Sequence, residues 1–102
     1  MRYLTFDVDK QQLIPTSDNS GIVLGTKGYL GIQVKFNDVD WNGCKVVCRF
    51  SYGSFEDCVP LQNGSCKVPD TVAGLKDFKI DLVGRSDGYQ ILTNKVTINQ
   101  TE

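Results

Sequence analysis

Leu30-Gly31-Ile32-Gln33-Val34-Lys35-Phe36 carries the cleanest period-two alternation in the chain. Leu30, Ile32, Val34 and Phe36 fall on one side of an extended backbone, and Gly31, Gln33 and Lys35 on the other, which is the pattern of a strand with one buried face. The same alternation recurs outward from it. Leu4, Phe6 and Val8 oppose Tyr3, Thr5 and Asp7, while Phe78, Ile80 and Leu82 oppose Lys79 and Asp81. Val96 and Ile98 oppose Lys95, Thr97 and Asn99. Val46, Cys48 and Phe50 oppose Lys45 and Arg49, with Val47 making that strand apolar on both sides. No long stretch has the i, i+3, i+4, i+7 spacing of an amphipathic helix, so at most one short helical turn fits. It would lie near 69–75, between Pro69 and Gly74.

Turn chemistry separates these runs. Ser17-Asp18-Asn19-Ser20-Gly21 is a loop by composition, and Asn63-Gly64 suits a type I′ turn because both residues tolerate positive φ. Ser51-Tyr52-Gly53-Ser54 and Ser86-Asp87-Gly88 read as two more hairpin connections. Short strands at this spacing predict an all-β fold, an antiparallel immunoglobulin-like β-sandwich forming one domain over 1–102.

Composition narrows the function classes. The chain has 102 residues, with 11 Lys plus Arg against 12 Asp plus Glu and no His, for a formal charge of -1. A nucleic-acid partner is not expected, because it calls for clustered excess Lys and Arg. Without histidine there is no Ser-His-Asp or Cys-His relay. No apolar run is long enough for a signal peptide or a membrane span, so the chain is expected to lack a classical leader and to have no membrane partner. No enzymatic activity, cofactor or metal is expected. The Asp7/Asp9 and Asp38/Asp40 pairs lack the loop pattern of a calcium site; they read as a solvated strand face and an Asx-type turn.

Cys44, Cys48, Cys58 and Cys66 contain no C-x-x-C spacing and admit three pairings. With a tight turn centred on Gly53, Cys48 and Cys58 fall nearly opposite each other. That pair is the candidate disulfide, and buried free thiols are the competing reading. Trp41, the sole tryptophan, reads as a core anchor or as a stacking platform for a sugar ring. Tyr52, Phe55 and Tyr89 sit at expected loops, where exposed aromatics favour partner contact. Asn63-Gly64-Ser65 and Asn99-Gln100-Thr101 match the glycosylation pattern by chance.

The ordered set of short motifs resembles small structural proteins of tailed bacteriophages that infect Gram-positive hosts. Phe6-Asp7-Val8-Asp9-Lys10 opens the chain, and Tyr29-Leu30 leads into the strand that ends at Phe36. Trp41-Asn42-Gly43 follows with Lys45, then Cys66-Lys67-Val68-Pro69, Leu82-Val83-Gly84, and Thr93-Asn94 before a last strand. The resemblance spans nearly the whole chain. It implies a β-sandwich module of tail, baseplate or fibre, located in the virion, assembled in the host cytoplasm and contacting other virion proteins. It also implies a part in host adsorption, with no catalytic residue. A homo-oligomer is expected from the symmetry of such particles. A host cell-wall glycan is the expected ligand of the alternative, a stand-alone carbohydrate- or surface-binding module.

Overall fold

A computed structural model describes all 102 residues. Nine strands form two sheets: β1 (Arg2–Asp9), β2 (Gln12–Pro15), β3 (Leu30–Phe36), β4 (Lys45–Tyr52), β5 (Phe55–Pro60), β6 (Ser65–Lys67), β7 (Asp77–Ser86), β8 (Tyr89–Leu92) and β9 (Val96–Asn99). The first sheet has the order β2-β1-β3-β6. The second has the order β5-β4-β7-β8, and β9 continues the β8 edge along β7.

The alternation read from the sequence becomes the core. Leu4, Phe6 and Val8 of β1, with Leu30, Ile32 and Val34 of β3, meet Cys48, Phe50, Phe78, Ile80, Leu82 and Ile98 from the second sheet in one apolar cluster. Every buried side-chain polar atom has a hydrogen-bond partner, so the cluster carries no unmet desolvation penalty.

The all-β expectation holds, but the sheets are not wholly antiparallel. β1 and β3 pair in parallel, Arg2 with Leu30 through Val8 with Phe36, which makes the first sheet mixed. Alternation is the same in parallel and antiparallel strands, so strand direction was not readable from it. The Asn63-Gly64 turn forms with positive φ at both residues (54° and 77°), as expected. Only Gln62 and Ser65 bridge across it, however. Beyond that bridge, β5 stays with β4 while β6 pairs with β3, so the turn hands the chain from one sheet to the other.

Two 3-10 turns stand where at most one was expected. Asp70–Val72 follows Pro69, inside the expected window. Val39–Trp41 is the addition, wound by Asp38, whose carboxylate accepts the Asp40 N–H at 3.0 Å. That Asx turn delivers Trp41 to the interior. The indole Nε1 donates to the Lys10 carbonyl at 2.7 Å, and the ring packs on Phe36 with centroids 5.4 Å apart.

β8 and β9 are one edge interrupted by an extra residue. Val83 faces Leu92 but Ile80 faces Val96, so the edge advances four residues while β7 advances three. The surplus at Thr93-Asn94-Lys95 ties the sheets together. Asn94 accepts the Leu13 N–H at 2.8 Å and donates its own N–H to the Gln11 carbonyl at 3.1 Å.

Candidate interaction surface

The outer face of the second sheet is built by the residues that alternate with its core positions. Register arranges them in rows across the strands. Pro60, Val47, Val83 and Leu92 form one apolar row over β5, β4, β7 and β8. Lys45, Arg85 and Gln90 form the row on one side, and Cys58, Arg49 and Asp81 the row on the other. Between them lies a shallow groove of about 520 Å³. Val47, Val83 and Leu92 are half-buried and Pro60 is exposed, so the apolar row is left partly uncovered.

Each flanking row has its own electrostatics. Arg49 grips Asp81 through two hydrogen bonds, Nε to Oδ1 at 3.0 Å and Nη2 to Oδ2 at 2.5 Å, with Glu56 farther off at 3.9 Å. The bond to Asp81 raises the Arg49 pKa above its ordinary value, as expected for a bidentate charge-assisted pair. Asp81 is 1% exposed although it sits on the outer face. Arg49 lies over it like a lid, which explains how a charge at a polar position of the pattern ends up buried. On the other side, Lys45 stands directly opposite Arg85. Like charges paired across strands repel, and the only side-chain bond of Arg85 is to neutral Gln90 at 2.9 Å. This row favours an incoming anionic group.

The aromatic candidates separate. Trp41 is 3% exposed and belongs to the core, so its ring is no stacking platform. Tyr52 and Phe55 are cross-strand neighbours at the tip of the β4–β5 hairpin, 50% and 41% exposed. Tyr89 begins β8 at the opposite end of the same sheet, where its hydroxyl donates to the Asp40 carbonyl. The interaction with Cys44, followed by desolvation, holds the Tyr89 phenol above its ordinary pKa. Tyr52 is level with Phe78 and Tyr89 faces Ser86; eight strand steps of about 3.3 Å put the two ends roughly 26 Å apart, so the three aromatics do not form one platform.

All four cysteines are free. The Cys48–Cys58 pairing fails on register. The turn is Gly53-Ser54, with Tyr52 facing Phe55, so Cys48 faces Val59 and Cys58 faces Arg49. One residue of slip sends the two thiols to opposite faces of the sheet. Cys48 is in the core and Cys58 lies exposed on the groove.

The outer face was only partly foreshadowed. Val47 stood out as an apolar residue on a polar face, but its alignment with Pro60, Val83 and Leu92 depends on pairing. No family model, curated protein or solved structure matches the chain.

Proposed function

We propose that this chain is a bacteriophage virion structural protein, a small immunoglobulin-like adaptor of tail, baseplate or fibre that contacts other virion proteins. The motif resemblance motivates the virion assignment. The carrying observation for protein contact is the uncovered apolar row Pro60-Val47-Val83-Leu92, framed by an unpaired cationic row and a neutralised Arg49–Asp81 row. Apolar burial supplies attraction, and the charged rows select orientation.

Magnitude decides how such a face would work. Four strands at about 4.8 Å spacing and seven steps of about 3.3 Å give a plate of roughly 400 Å². A standard stable interface takes ~800 Å² per partner. One contact is therefore weak, and lasting association comes from repeating it in a symmetric particle. Light scattering on the isolated protein, with co-purification against the products of neighbouring genes, tests this reading. Capture of a tail or baseplate protein, lost in Val47→Asp, is expected. A strict monomer that captures none of them refutes it.

The second reading, a carbohydrate- or surface-binding module, draws on the exposed Tyr52–Phe55 pair at the hairpin tip. A glycan array probed with wild type and Tyr52→Ala separates the two readings.

A further inference from the structure

Cys48 is fully buried on β4 and points into the core. Cys66 stands on β6 opposite Ile32, so it points inward from the other sheet and packs on the same cluster. Val59, the cross-strand partner of Cys48, lines the same cleft as Cys66, and both thiols join one apolar cluster; so placed, each shifts the other's pKa, Cys48 upward and Cys66 downward. Only one of them has an outlet. Cys66 lines a cleft of about 460 Å³ that also involves Tyr3, Val59 and Pro60, where the edges of the two sheets approach each other. Cys58 faces the outer groove instead, and Cys44 is bonded to Tyr89 and Asp40.

We propose that Cys48 and Cys66 are a thiol–disulfide exchange site, at which a small-molecule disulfide entering the cleft converts the pair into an inter-sheet disulfide. The Cys66 thiolate, its proton released to water, attacks one sulfur of the incoming disulfide. That S–S bond breaks, one small thiolate leaves and takes up a proton, and a mixed disulfide remains on Cys66. Cys48 then loses its proton to water and attacks the Cys66 sulfur, expelling the second small thiolate, which is also protonated. Two protein thiols are oxidised, and one external disulfide is reduced to two thiols.

The order follows from the surroundings. Cys66 is reachable, and its interaction with Cys48 holds its pKa below the ordinary thiol value. Cys48 is kept protonated by that same interaction and by burial, so it acts second. The new bond joins β4 directly to β6 across the core. It would stay open in a reducing compartment and close outside one.

The test uses a Cys44→Ser/Cys58→Ser chain, reduced and then treated with oxidised glutathione. A transient glutathione adduct on Cys66 is expected, followed by a mass loss of about 2 Da from the reduced chain. Trypsin would then yield Val46–Arg49 linked to Phe50–Lys67. Closure of this loop predicts a Tm rise on the order of 10 °C. Adding Cys66→Ser is expected to abolish oxidation without disturbing the fully buried thiol. The proposal is overturned if the folded chain keeps both thiols while the denatured chain oxidises. It is also overturned if the adduct accumulates without closing, or if Cys48 reacts first.

Discussion

Gly84→Ala tests the packing of the core against a single added methyl. Gly84 lies on β7 between Val46 of β4 and Ile91 of β8. A Cβ there would stand 2.8 Å from Cζ3 and 2.9 Å from Cε3 of Trp41, and 3.1 Å from Cγ2 of Ile91. Carbon atoms rest about 3.5–4.0 Å apart, so the indole must retreat by roughly 0.7 Å or more. Its freedom to do so is small, because Nε1 is held by the Lys10 carbonyl at 2.7 Å and the ring is backed by Phe36. Overpacking of this kind costs about 1–3 kcal/mol. At about 2 kcal/mol, Tm falls by roughly 8–16 °C for a domain of this size. Urea and thermal unfolding followed by tryptophan emission make the assay direct, since Trp41 is the only tryptophan and is also the group displaced. Gly74→Ala is the control, because a Cβ there meets nothing within 4 Å. It is expected to stay within about 0.5 kcal/mol of wild type. A Gly84→Ala protein as stable as that control, with unshifted emission, would refute this packing of Trp41 on Gly84.

Arg49→Ala uncovers the buried Asp81 carboxylate and removes both of its bonds, and it is expected to destabilise by about 3 kcal/mol in urea unfolding. Gly64→Ala places a Cβ 2.9 Å from the Val34 carbonyl oxygen at a φ of 77°. It is expected to cost about 2 kcal/mol, and a neutral result would mean that the turn relaxes. The dithiol predicts a stability maximum near pH 9. Between the lowered pKa of Cys66 and the unfolded value of 9.0, the folded chain has released a proton that the unfolded chain still holds, so stability rises with pH. Above 9.0 the unfolded chain loses both protons while folded Cys48 keeps its own, so stability falls. Wild type minus Cys66→Ser, compared by urea titration from about pH 7 to 10, isolates this effect. A difference that does not change with pH counts against the coupling of the two thiols.

Particular residues show where reading the chain alone stopped. Leu30 through Phe36 declared its buried face unaided, and so did the inward residues of β1, β4 and β7. Asp81 sat at a polar position of its pattern yet is buried, because Arg49 arrives beside it from another strand. Equal steps from Gly53 put Cys48 opposite Cys58 in the sequence, but the Gly53-Ser54 turn sets them one residue out of register. The interaction face was the least legible feature, since Pro60, Val47, Val83 and Leu92 come from four strands and meet only through pairing.

The sequence by itself determined the all-β character, the inward face of the main strands and the type I′ turn at Asn63-Gly64. These depend on side-chain alternation and on local φ preferences, which neighbouring residues set among themselves. Tertiary structure alone decided that β1 and β3 run parallel, that β5 and β6 part into different sheets, and that Cys48 and Cys66 enter one core from different sheets. Strand partners, direction and register are non-local choices. Each is settled by how much apolar surface the whole chain can bury together, and no short stretch carries that information.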